Sequence, residues 1–269
     1  MKKGYHILEI ANVHGGDFDY FKKIIQDISS YKSPEFGVKL QVLKPDLIAL
    51  PDFSYYDLYH KLCFDLEQWD EIISLAGETK DVWIDVFDLY GVEIIEKFTS
   101  KIYGVKFQAS VLDNLEIFEA LSKIDISDKY LMINISGIPE NQIQDKLDII
   151  EKYINCKEVI IQMGYQSYPT SVDKSGLGKI EVLKNKFDNK IIYADHTDGK
   201  NNDAKITAGL GKKDGDRVVG SGFRAADELG MMLAGTLKPA TSRFCHGMVS
   251  KQWLKQHRST QKRDIGQLG

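Results

Sequence analysis

In Ile191-Ile192-Tyr193-Ala194-Asp195-His196-Thr197-Asp198-Gly199 an apolar run passes directly into a carboxylate, an imidazole and a hydroxyl, then a glycine. A strand of a parallel sheet is buried on both faces, so it reads as a continuous apolar run rather than an alternating one. Polar groups crowded at the carboxyl end of such a strand mark where α/β enzymes keep their chemistry. A single His after a strand is more often a structural group than a ligand. Its weight here comes from the same pattern recurring along the chain.

Working back from that stretch, six further strand-like runs each lead into a segment with apolar residues at helical spacing. The strands are Tyr5 to Ile10, Gly37 to Val42, Asp81 to Asp88, Tyr103 to Ala109, Tyr130 to Gly137, Glu158 to Gly164 and Lys190 to Ala194. Phe18, Phe21, Ile24, Ile25 and Ile28 predict the first helix, with Asp17 as its N-cap. Leu43 to Phe64, rich in Tyr and carrying Pro45 and Pro51, is expected to be an active-site loop leading into the next helix. Regular βα alternation predicts a parallel sheet with right-handed crossovers. Seven or eight such units favour a closed (β/α)8 TIM barrel over an open sheet. No GxGxxG follows any strand, which argues against a dinucleotide fold. The eighth unit should follow Gly211, where Arg217 to Gly220 is the one short apolar run, so the barrel is expected to be closed there only by this short run or left incomplete at the eighth strand. An unclosed ring leaves the edges of strands one and seven unpaired, which predicts poor solubility or a homodimer covering the gap.

The 269 residues suffice for one large domain, and 43% hydrophobic with 28% charged residues is ordinary for a soluble protein. A net charge of -4 speaks against nucleic acid or anionic membrane as partner. No apolar run approaches the roughly 20 residues that span a bilayer. Met1-Lys2-Lys3-Gly4 leads straight into a strand with an early Glu9, unlike a signal peptide. Cys63, Cys156 and Cys245 are dispersed and form no CxxC, which fits a reducing cytoplasm. All five arginines lie at or beyond Arg217, and from Gly211 onward 11 Lys+Arg face 5 Asp+Glu, against 24 facing 34 before it. Residues 1-211 are therefore expected to form the barrel and 212-269 a divergent basic tail, either a variable native element or a foreign, fused or out-of-frame one.

Glu9, Asn12, Lys39, Gln41, Asp85, Asp88, Lys106, Gln108, Asn134, Ser136, Tyr168, Asp195 and His196 collect at the strand ends. Lysines neutralise phosphate or carboxylate as point charges, amides and tyrosine read sugar hydroxyls, and a neutral His can ligate a divalent metal. Each lysine alone is more readily a solvated or paired group. Two at matching strand positions point to an anionic, hydroxyl-rich substrate. An aldolase using a Schiff-base lysine is a further reading of Lys39 or Lys106.

The ordered set Glu9-Ile10-Ala11-Asn12-x-His14-Gly15-Gly16-Asp17, Val38-Lys39-Leu40-Gln41, Val105-Lys106-Phe107 with Asn114-Leu115, Ser136-Gly137, Tyr168-Pro169-Thr170 and Ala194-Asp195-His196-Thr197-Asp198-Gly199 resembles the sialic acid synthase (N-acetylneuraminate synthase) family over roughly residues 5 to 211. The resemblance implies a barrel enzyme that condenses phosphoenolpyruvate with N-acetylmannosamine or a related amino sugar, with Mn²⁺ or Mg²⁺ polarising the aldehyde, in capsule, lipopolysaccharide or flagellin glycan synthesis. By position it implies Lys39 and Lys106 on the phosphoenolpyruvate anion, Gln41, Asn12 and Tyr168 on the substrates, His196 on the metal, and Glu9 as base or water-ordering group. The chain departs from the family in several places. The second metal-binding His, in a Glu-Lys-His sequence on strand eight, has no counterpart, and the C-terminal antifreeze-like domain is missing. Ala109 and Val111 stand for Ser and Glu, and Asp85 stands where the family has Thr. Asp85 is expected to repel a phosphate unless a lysine pairs with it. The alternative is a catalytically impaired or truncated relative that binds sugar or phosphate without turnover.

Overall fold

The computed structural model describes residues 5–30, 36–165, 167, 170–196 and 219–220, the last two by backbone alone. Eight parallel strands follow one another in chain order: β1 (His6–Glu9), β2 (Phe36–Val42), β3 (Asp81–Val86), β4 (Gly104–Phe107), β5 (Ile126–Asn134), β6 (Cys156–Gly164), β7 (Lys190–Ala194) and β8 (Val219–Gly220). Helices alternate with them: α1 (Phe18–Ser29), α2 (Pro45–Ile48), α3 (Tyr56–Leu62), α4 (Leu66–Gly77), α5 (Leu89–Phe98), α6 (Leu115–Leu121), α7 (Ile143–Tyr153) and α8 (Lys179–Lys186). This is the expected α/β barrel. β8 pairs with β7 through Tyr193–Val219 and Ala194–Gly220, and Cα atoms of β8 and β1 come within 8 Å. Among the described residues the two form no ladder, so the ring narrows to a short eighth strand. That strand comes from the segment whose composition marks it as a tail. Among the described residues no helix is long and apolar enough to cross a membrane.

The helices begin where side chains can satisfy their first amides. Asp17 accepts from Tyr20 N at 2.9 Å, as its place before the Phe18 stripe predicts. Asp65 and Gln68 cap α4 reciprocally. Asp88 turns out to be the cap of α5, accepting from Gly91 N at 3.1 Å and from Lys44 N at 2.7 Å. It ties the β2 and β3 loops together and does not present a carboxylate to the mouth. Leu43 to Phe64 is also more ordered than expected. α2 and α3 fold over a small core of Leu43, Ala49, Tyr59 and Leu62. Tyr55 and Tyr59 pack there on the Phe53 ring, at centroid distances of 5.7 and 6.0 Å.

The strands separate two cores. Their outward side chains pack on the helices in a layer that runs from Leu8 and Phe21 round to Leu183 and Tyr193. Their inward side chains fill the barrel, with Tyr5, Ile7, Trp83, Tyr130, Met132, Ile160 and Ile192 as a buried floor. The floor is polar only where it is paired: Trp83 Nε1 donates to Tyr5 Oη at 3.0 Å, and Tyr5 donates to Asp81 at 2.8 Å. Room for the indole comes from its neighbours. A Cβ on Gly104 would meet the Trp83 ring at 2.5 Å, and one on Gly37 would meet Trp83 Nε1 at 2.8 Å. Barrels fill their interiors by setting large side chains against small ones in this way.

Candidate active site

Side chains two residues apart on a strand share a face. On the inner face of nearly every strand, one such step crosses from the floor to a polar group. Ile7 is followed by Glu9, Gly37 by Lys39, Trp83 by Asp85, Gly104 by Lys106, Met132 by Asn134 and Ile160 by Gln162. The barrel thus changes from apolar plug to polar mouth within about one residue layer, at the carboxyl ends of the strands. Gln162, 6% exposed, belongs to this layer. It was hidden in the sequence because it lies between Ile161 and Met163 and reads as strand interior.

Much of the polar layer, from Glu9 to Asn134, is one connected array. Lys39 pairs with Glu9 and lies 3.4 Å from Asp85 Oδ2. Lys106 Nζ lies 2.8 Å from the same oxygen, and Gln108 Nε2 donates to it at 2.9 Å. Asn134 Nδ2 donates to Gln108 at 3.0 Å, and Ser136 Oγ donates to the Gly164 carbonyl. Asn12 Nδ2 donates to Gln41 Oε1 at 3.3 Å at the rim. Glu9, Asn12, Lys39, Asp85 and Lys106 are buried, and Gln41 is half-buried. The loop carrying Asn12 is held by backbone geometry. Ala11 adopts φ 48°, a left-handed conformation uncommon for a residue with a Cβ and often found at functional sites. Gly16 turns at φ 86° against the Lys61 carbonyl, where a Cβ would overlap the backbone.

The two lysines differ. Burial pushes Lys39 down, but the Glu9 and Asp85 carboxylates outweigh it and hold its ammonium above the ordinary lysine value. Burial dominates at Lys106, and Lys39 beside it adds to the effect, so its ammonium is lowered to about 8 although Asp85 opposes the shift.

His196 follows β7, half-buried, and its Nδ1 faces the Tyr165 carbonyl. A carbonyl only accepts, so Nδ1 carries the proton and Nε2 the lone pair. Burial lowers the ring to about 4, with the charges of Lys106 and Lys39 adding to the shift. His14 is different. Buried between Phe21 and Phe64 at 4.6 and 4.8 Å, it accepts the Gly16 amide at Nδ1 and is lowered by burial to about 3. It holds the loop shape and lies away from the array. Tyr168 lies outside the described residues. The described residues do not make a metal site: among them no three His, Cys, Asp or Glu side chains converge, and Glu9 and Asp85 are engaged by lysines.

Both imidazoles give a pH dependence. Their folded values lie below the ordinary 6.5, so the unfolded chain binds more protons between those values. The stability from keeping them neutral is complete above pH 6.5 and is lost as pH falls toward about 4 for His196 and about 3 for His14. The urea midpoint is expected to drop between about pH 7 and about pH 4.5. A midpoint that stays constant contradicts the neutral assignment.

A family model, the NeuB family, matches residues 39–211, the span that holds Lys39, Asp85, Lys106 and His196. The chain belongs to the NeuB family. An N,N'-diacetyllegionaminic acid synthase of Campylobacter jejuni is 24% identical over 215 residues, 74% of this chain and 62% of that protein. An uncharacterized protein of Methanocaldococcus jannaschii is 23% identical over 187 residues, 69% of this chain and 53% of that one. The chain thus spans little more than half the length of these relatives. In fold, an N-acetylneuraminic acid synthetase from Leptospira borgpetersenii, solved with citrate, superposes with a TM-score of 0.70 at 15% identity, over 97% of this chain and 93% of that one.

Proposed function

We propose that the mouth binds phosphoenolpyruvate and an amino sugar of the N-acetylmannosamine class and joins them into a sialic-acid-like nonulosonic acid. The observation that supports this most is the buried array Glu9–Lys39–Asp85–Lys106, rimmed by amides, at the end of the barrel where this fold performs its chemistry. Carbon 3 of phosphoenolpyruvate attacks the sugar aldehyde, water adds at carbon 2, and phosphate leaves by C–O cleavage. Lys39 and Lys106 meet the donor's negative charge. Asn12 and Gln41 exchange their mutual hydrogen bond for sugar hydroxyls. Glu9, whose Oε1 faces no donor among the described residues, takes a proton from the water. His196 belongs to the rim, Tyr168 contacts the sugar, and residues 212-269, which supply β8 at Val219–Gly220, are by composition a divergent basic extension of residues 1-211.

The test is phosphate release by the purified chain with phosphoenolpyruvate and a panel of hexosamines, with Mn²⁺ and after chelation. Release is expected with at least one amino sugar. It is expected to fall as pH rises through about 8, where the Lys106 ammonium is lost. A folded protein that releases none with any sugar sinks the reading. One observation favours a second reading, a relative that binds without turnover: both lysines already carry a carboxylate partner.

A further inference from the structure

Among the described residues Lys39 and Lys106 are the cations of the buried array, and the space between them is already filled. Asp85 Oδ2 lies 3.4 Å from one ammonium and 2.8 Å from the other, and Gln108 donates to it at 2.9 Å. An anionic oxygen with two ammonium groups and an amide donor around it is the environment a phosphate oxygen seeks. With Glu9 on the far side of Lys39, two carboxylates balance two ammonium groups, so the cluster has no net charge to offer a ligand when all four are ionised. Asp85 cannot swing away cheaply. It is fully buried on the inner face of a central strand, above Trp83 and in register with Lys106.

We propose that Asp85 is a specificity-determining residue, an internal competitor that occupies the phosphate position between Lys39 and Lys106. The mouth therefore meets a donor through a singly charged carboxylate and holds a phosphate dianion weakly. This deepens the synthase reading, and rests on it only for the identity of the donor. A unit charge within about 4 Å of an anion, at an effective dielectric of about 20, changes affinity more than tenfold. Neutralising Asp85 while keeping its shape should therefore show directly in anion binding.

The experiment measures binding of inorganic phosphate and of pyruvate, by calorimetry, to the wild-type chain, Asp85→Asn and Asp85→Thr. Wild type is expected to bind phosphate no more tightly than pyruvate. Asp85→Asn and Asp85→Thr are expected to bind phosphate at least tenfold more tightly than wild type, and to gain more for phosphate than for the singly charged pyruvate. Equal or weaker phosphate binding by folded variants overturns the proposal, because Asp85 then serves to hold the lysines in place. If neither variant folds, wild type decides alone: phosphate bound tenfold more tightly than pyruvate overturns it. Turnover is scored separately with phosphoenolpyruvate and hexosamines. Tighter phosphate binding by the variants without turnover in any form supports Asp85 as competitor while removing the synthase reading.

Discussion

Lys39→Met is expected to destabilise the fold by roughly 3–5 kcal/mol, because it breaks a buried ion cluster by removing one sign of charge. The Lys39 side chain is 5% exposed and sits between Glu9 at 9% and Asp85 at 0%. Without its ammonium, Glu9 loses its cation and Asp85 keeps only Lys106 and the Gln108 amide, in a site too buried for solvent to make up the loss in full. Taking out both charges changes the outcome. Lys39→Met with Glu9→Gln is expected to recover much of the loss, since neutral side chains of similar size need no counter-charge. Lys190–Glu158 is the internal control, a 2.7 Å pair whose side chains are 43% and 30% exposed. Lys190→Met should move stability by less than about 1 kcal/mol. Urea unfolding of the four proteins checks this, and a Lys39→Met chain within about 1 kcal/mol of wild type contradicts it.

Trp83→Ala acts from below. The indole is fully buried, holds Tyr5 by a 3.0 Å hydrogen bond, and is the body against which Gly37 and Gly104 leave space. Its removal opens a cavity between two glycines that cannot fill it, so a loss of roughly 3–5 kcal/mol is expected. The loss should reach function as well. Lys39 and Lys106 each stand two residues beyond one of those glycines, so the floor that fixes their strands also fixes their ammonium groups. On the proposed function, phosphoenolpyruvate binding is expected to weaken even at temperatures where the variant is folded. Restored binding with Trp83→Phe, which refills most of the space, would tie the effect to packing. Unchanged binding in a folded Trp83→Ala chain would separate floor from mouth.

Much of the fold was legible in the chain because it is local. Ile191 to Ala194 and its six predecessors show apolar runs of strand length, Phe18 to Ile28 shows helical spacing, and Asp17 stands at a cap. Each of these signals lies within a dozen residues and obeys a backbone period. The two lysines and Glu9 could be placed at strand ends for the same reason, and the motifs around them were enough for the family. Asp88 and the Leu43 to Phe64 segment were misread, because a carboxylate after a strand can cap a helix, and a Tyr-rich stretch can bury its rings on itself.

What the sequence determined by itself is therefore the alternation of strand and helix, the polarity change at the end of each strand, and membership in a barrel family. Only the tertiary structure decided what those polar ends meet. In sequence Asp85 reads only as a charge that repels an anion; with β3 beside β4, Asp85 opposite Lys106 and the β2 lysine reaching the same carboxylate, it becomes the ion that fills the space between the two ammonium groups. Gly37 and Gly104 acquire a purpose only against Trp83, and the short run Arg217 to Gly220, where the sequence places the eighth unit, is shown to contain a strand only by the pairing of Val219–Gly220 with β7. The physical reason is range. Dihedral preference and hydrophobic period act along the chain over a few residues, whereas the charge balance of the mouth depends on strand register, and that is set by contacts between segments 20 to 80 residues apart.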